Sequence, residues 1–195
     1  MSTPLSFFLV PLMWAVHLHP LAGQVSQPVS GRVFATEEGT VAFRSEAPLE
    51  LIQARSDALK GAIDLRNGTF AFSMLVASFE GFNSPLQREH FKENYLETSR
   101  YPRATFKGTL IESLAAAPPG TYTVRAKGIL SIHGVSQERI IRATVVVGQD
   151  RLEVRSDFSV RLDDHSITIP RIVHQKIAQE IDVHIKAVFL PQAAE

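Results

Sequence analysis

Five histidines are spread along the chain after residue 23: His90, His133, His165, His174 and His184. Histidine is the side chain best suited to proton transfer and metal binding near neutral pH. Their placement supports neither use. The sequence has no HExxH, no GxSxG, no glycine-rich phosphate loop and no paired metal-ligand spacing. A metal site needs several ligands converging with supporting partners, so scattered histidines read as surface or structural residues. Cysteine is absent, which removes a thiolate zinc site, a cysteine nucleophile, a disulfide framework and an acyl anchor on cysteine. No catalytic residue, metal or cofactor is expected.

The aromatic residues carry more information. Two of the twelve phenylalanines stand at Phe7 and Phe8, and of the other ten, six fall between residues 70 and 106. They either pack an ordinary β core or wall an apolar cavity inside a barrel, since a barrel of about eight strands can be filled by side chains or hold one small ligand.

The elements that would position them are strands. Leu152, Val154, Phe158, Val160 and Leu162 alternate with charged and polar residues, as do Ile181, Val183, Ile185, Ala187 and Phe189. Phe70, Phe72, Met74 and Val76 form a further set, Val41 and Phe43 flank Ala42, and Val124, Ala126 and Gly128 alternate with Arg125 and Lys127. Val145 to Val147 is a short apolar run. Turn signals separate these runs at Glu38-Gly39, Ala47-Pro48, Asn67-Gly68, Pro118-Pro119-Gly120, His133-Gly134 and Gly148-Gln149-Asp150. One segment differs: Pro85 to Leu96 has helical spacing, with Pro85 in its first turn and Ser84 placed to cap it. The expected fold is one antiparallel β domain, barrel or sandwich, with a helical insertion near 85–96 and no internal sequence repeat.

Residues 1–23 read as a separate piece. Leu5 to Val16 is apolar and uncharged, too short to span a bilayer, and small residues Ala22 and Gly23 precede Gln24. Pro4, Pro11 and Pro20 argue against a regular buried helix there. The expectation is a signal peptide over 1–23, a single domain over 24–195 without an integral membrane span, and a periplasmic or secreted location. Twenty basic residues balance twenty acidic ones, so no electrostatic surplus points to a nucleic acid.

Longer motifs then point to a family. Ser78 to Gly108 reads SFEGFNSPLQREHFKENYLETSRYPRATFKG, joining an SFxGFN strand end, an EHF helix, an ENYLE continuation and a YPxATFxG strand entry. GILSIHGV follows at Gly128–Val135, then DFSVRLDDHSITIP at Asp157–Pro170 and a last alternating strand. From about Gly31 to Leu190 the chain resembles the YceI family of lipocalin-like, polyisoprenoid-binding bacterial proteins. The resemblance implies an eight-stranded antiparallel barrel with a helix at one end, an apolar tunnel for a long-chain isoprenoid, quinone-type or similar lipid, export to the periplasm, and no general enzymatic activity. Tunnel positions expected from alternation are Phe43, Phe72, Met74, Phe79, Phe82, Phe91, Leu130, Phe158 and Ile169. His90 matches the helical histidine of the family, which either ties the helix to the barrel or meets a lipid head group. Many family members carry an Arg-Asp pair before that histidine, where this chain has Gln87 and Arg88. The helix at 85–96 is the natural lid. Two other readings stay open: an enzyme acting on a bound lipid through His90 or His133, and a filled barrel serving as an envelope-stress or protein-interaction module. Association into a homodimer is also left open.

Overall fold

Period-two alternation with one apolar face builds a wall whose inner side chains meet across a closed space. The computed structural model describes residues 33–192, and the proposed export segment lies outside the described residues. Eight strands follow in order: β1 Val33–Glu46, β2 Leu51–Asp64, β3 Thr69–Leu75, β4 Arg103–Leu110, β5 Gly120–Ile132, β6 Val135–Val147, β7 Leu152–Arg161 and β8 Glu180–Pro191. Each pairs antiparallel with its neighbours, and β8 returns to β1 to close the barrel. The helical insertion is α1, Pro85–His90, continued by a π turn over Phe91–Tyr95. Ser84 caps α1 by accepting from the Gln87 N–H at 3.2 Å.

An up-and-down order sorts the connections by end. The β1–β2, β3–β4, β5–β6 and β7–β8 connections share what we call the upper end, and both long ones, residues 76–102 and 162–179, are there. The lower end has the other three connections, the start of β1 and the end of β8.

The ladder is incomplete in two places. β2 and β3 pair only from Lys60↔Ser73 to Asp64↔Thr69, and β6 and β7 only from Thr144↔Arg155 to Val147↔Leu152. Above those points the strands part, and the two seams face each other across the barrel, with four strands between them on either side. A long connection fills each seam. At the first, Glu80 exchanges backbone hydrogen bonds with Arg55 at 2.7 and 2.8 Å, and the Ser56 and Ser78 hydroxyls meet at 2.7 Å. At the second, Gln137 donates to the Asp164 carbonyl at 2.7 Å, Arg139 pairs with the Asp164 carboxylate at 2.6 Å, and the Ser156 hydroxyl donates to the Arg142 carbonyl at 2.7 Å.

His165 is the fully buried member of the second seam. Its Nδ1–H donates to the Val135 carbonyl at 3.1 Å, which leaves Nε2 unprotonated, buried and without a partner. Burial holds its pKa below the ordinary histidine value of 6.5, Arg139 adds to the effect, and the Val135 carbonyl and Asp164 oppose it. The unfolded chain therefore takes up this proton first as the pH falls, so stability is full above the ordinary histidine pKa and drops as the pH goes below it. Urea midpoints at pH 7.5 and pH 5 should show this slope, and His165→Gln should flatten it. An equal slope in both proteins would mean that other groups set it.

Two turn signals behave differently from one another. His133-Gly134 forms the expected two-residue hairpin, with φ of 51° and 73°. Glu38-Gly39 does not turn the chain. It lies inside β1 as a bulge, where the register with β2 shifts between Thr36 and Val41. Pairing with β2 on one side and β8 on the other carries the backbone through, and Gly39 fits because Ala187 and Leu59 press on it from inside.

Candidate functional site

The barrel is packed solid at one end. Phe34, Leu65, Phe70, Leu114, Val124, Val147 and Leu152 are each 5% exposed or less and fill the lower end. Phe70 stacks on Phe72 and tilts against Phe106, with centroids 5.3 and 4.9 Å apart.

Above this plug lies a cavity of about 260 Å³. Its inner wall is the alternating faces of the strands. Val41 and Phe43 come from β1, Phe72 and Met74 from β3, Leu130 from β5, and Phe158 and Val160 from β7. β8 adds Ile181, Val183, Ile185, Ala187 and Phe189. Phe79, Phe82 and Phe91 roof it from the 76–102 connection, and Ile167, Ile169 and Ile177 from the 162–179 connection. Phe43, Phe79, Phe82 and Phe91 form one aromatic group, with Phe43 stacked on Phe91 at 5.6 Å and Phe82 5.0 Å from Phe91.

No charged side chain lines this cavity. Its few polar groups are mostly engaged. Ser45 accepts from the Ala178 N–H at 3.0 Å, Ser73 accepts from Arg103 at 3.1 Å, and Ser156 is held by Arg142. An apolar space without fixed charge favours a long hydrocarbon over any ion or polar substrate.

Nine of the ten expected site residues stand together on this wall: Phe43, Phe72, Met74, Phe79, Phe82, Phe91, Leu130, Phe158 and Ile169. His90 does not. It is exposed and off the lining. Gln87, Phe91 and Tyr95 follow at intervals of four and face the barrel, so Leu86 and His90, also four apart, turn away. Nor does His90 tie the helix down. Gln87 donates to the Glu50 carboxylate at 2.9 Å, and Arg88 forms an ion pair with Glu80. The two positions that depart from the family pattern are the ones that hold α1 to the barrel.

His133 lies outside the cavity as well. Its ring is 10% exposed, with Nδ1 3.1 Å from the His165 carbonyl and Nε2 3.4 Å from Glu97, and Tyr101 packs edge-on against it at 4.6 Å. It binds three upper-end connections together. Among the described residues, no group of three or more His, Cys, Asp or Glu could hold a metal ion. No described helix is long and apolar enough to cross a membrane. Tyr95, Leu96, Ile167 and Ile177 also line the cavity and were not expected. The apolar alternation of Ile167 and Ile169 was the available signal for that stretch.

Comparison with known proteins agrees with this architecture. The YceI-like domain model matches residues 21–189. A polyisoprenoid-binding domain from Saccharophagus degradans, implicated in plant cell wall breakdown, superposes with a TM-score of 0.69 at 17% identity, covering 84% of this chain and 100% of that one. Burkholderia cenocepacia BcnA gives 0.64 at 14% identity, covering 77% and 95%. A Campylobacter jejuni YCEI protein gives 0.52 at 12% identity, covering 98% and 94%. No curated protein matches. At these identities the solved structures speak for the fold, and the family model covers most of the sequence: the chain belongs to the YceI-like family.

Proposed function

We propose that this protein binds one long-chain apolar lipid, an isoprenoid or quinone-type molecule, in the upper cavity, and sequesters or carries it outside the cytoplasm. The observation that carries the reading is a cavity without a charged lining residue, set above a filled base and beneath a roof of helix and loops. The domain from Saccharophagus degradans, whose name records polyisoprenoid binding, shares the fold. A lipid chain in water exposes on the order of several hundred Å² of apolar surface, and burial is worth about 25 cal/mol per Å². A preformed pocket collects that gain while ordering little of the protein. The low polarity of the lining supports recognition through the chain, with a head group meeting at most a few polar lining residues such as Tyr95. α1 and its π turn form the cover that must shift for entry.

The apolar stretch over residues 5–16 supports export, and with it a periplasmic or secreted site of action. Binding rather than catalysis is the better reading, because His90 and His133 lie off the lining. The test is native mass spectrometry of the protein purified from an exporting host, followed by organic extraction. The expected result is one long-chain species per barrel. Protein that stays empty after incubation with polyprenyl and quinone lipids would favour the interaction-module reading instead.

A further inference from the structure

The upper end holds apolar side chains out in water. Leu49 in the β1–β2 connection, Leu86 in α1 and Ile172 in the β7–β8 connection are 66%, 59% and 91% exposed. They stand on one rim. The Leu49 N–H donates to the Gln175 carbonyl at 2.8 Å, which joins the β1–β2 connection to the β7–β8 connection, and Glu50 accepts from Gln87, which joins the β1–β2 connection to α1.

The exposure of Ile172 is built in. Ile169 before it is buried in the cavity wall, His174 after it lies with Nε2 2.6 Å from the Ile169 carbonyl, and the Ala178 N–H donates to the buried Ser45 hydroxyl. The tip of an anchored turn is thus an isoleucine that folding leaves wet. An apolar group fixed in that position, beside an apolar cavity, marks a contact surface.

The surrounding charge says what kind. Residues 165–179 contain no Asp or Glu, while Arg171, His174 and Lys176 surround Ile172. Among the described residues Arg171 and Lys176 form no ion pair, whereas Asp163 and Asp164 at the start of the same connection are matched by Arg161 and Arg139, and Glu50 beside Leu49 meets only the Gln87 and Asn83 amides. Glu89 and Glu93 stand three and seven residues after Leu86 on the outward face of the helical insertion, so the cationic side of the rim is the 165–179 connection. Apolar tips backed by unmatched cations fit a bilayer, where an acyl boundary lies beneath a layer of phosphates. We infer that the upper end docks on an anionic phospholipid surface through its 165–179 side, with Leu49 and Ile172 entering the acyl boundary and Arg171 and Lys176 at the level of the phosphates. The inference rests on the lipid-binding reading for its purpose, since the cavity mouth then faces the bilayer and a chain passes between them without crossing water.

Flotation with vesicles that contain no isoprenoid or quinone tests docking apart from cargo. Vesicles of phosphatidylethanolamine with roughly one-quarter phosphatidylglycerol should carry the protein, and pure phosphatidylcholine should carry much less. Ile172→Glu and Leu49→Glu should each weaken flotation about tenfold, and Arg171→Gln with Lys176→Gln should remove most of its salt dependence. Leu190→Glu, an exposed site toward the lower end, should float as the parent does. Failure of the parent protein to float, or flotation unchanged by Ile172→Glu, overturns the inference. So does a concentration-dependent dimer that Ile172→Glu dissolves, which would assign this face to a second copy. A barrel that floats but extracts empty would sink the cargo reading and leave docking standing.

Discussion

Val183→Trp is expected to lower the lipid load of the barrel by about tenfold or more while the protein still folds. Val183 is half-buried on the cavity wall, opposite Phe43 of β1 and Phe158 of β7. An indole there points into space that the protein itself leaves empty, so it displaces ligand and not neighbouring side chains. A tenfold loss of affinity corresponds to about 1.4 kcal/mol, well below what excluding part of a buried chain removes. Filling a void also adds contacts, so the urea midpoint should hold or rise. Lipid per barrel by native mass spectrometry, alongside urea unfolding, reads both effects. A full load in a folded Val183→Trp protein would place the ligand somewhere other than this cavity.

The largest effect on stability should come from a pair of glycines. Gly108 of β4 and Gly128 of β5 face each other in register, on the inner side of the wall. A Cβ built on Gly108 would press on the Lys127 carbonyl and stand 2.5 Å from the Gly128 Cα. One on Gly128 would meet the Lys107 carbonyl and come within 3.1 Å of the Phe106 ring. The obstacles are backbone, which cannot swing aside as a side chain can. Gly108→Ala should therefore cost about 3 kcal/mol, at the upper end of typical overpacking penalties. Gly68→Asn is the contrast. Its φ of 65° suits asparagine, and the nearest atoms to a new Cβ are 3.7 Å away, so its cost should stay within about 1 kcal/mol. Thermal and urea unfolding distinguish the two. A loss below about 1 kcal/mol for Gly108→Ala would mean that β4 and β5 can move apart freely.

Strands β7 and β8 were plain in the sequence because nearly every inward position is a large apolar residue and nearly every outward one is polar. β2 was not, although it is one of the two longest strands. Its inward positions include Ala54 and Ser56, buried at 4% and 2% exposure, and small or polar residues leave no hydrophobic period to read. The buried serines are satisfied by partners far along the chain, such as Ser78 for Ser56 and Ala178 for Ser45. No local pattern announces such pairs. Glu38-Gly39 misled for the opposite reason: its turn chemistry is sound locally, and pairing on both sides overrides it.

The site divided along the same line. The phenylalanines were legible because a bulky apolar residue on an alternating strand has few other places to go. His90 falls off the cavity lining, a position the sequence could not announce because the face a short helix presents depends on which side docks, and Gln87 and Arg88 make that contact through Glu50 and Glu80. The wall contributed by Ile167 and Ile177 depends on how an irregular connection folds back into a seam, which spacing alone does not encode.

A continuous ring of hydrogen bonds would act as a hoop, fixing the girth of the barrel at the value the strand number dictates. This barrel has no such hoop around its upper half. The wall is cut twice, at opposite points, and the cuts are bridged by a few side-chain bonds and one short backbone exchange. Two stiff four-stranded shells joined at their base behave like the jaws of a clothes peg, able to part by small rotations without breaking a ladder. The lumen of about 260 Å³ is then a resting bore, and with a guest inside, its diameter would be a property of the guest as much as of the host.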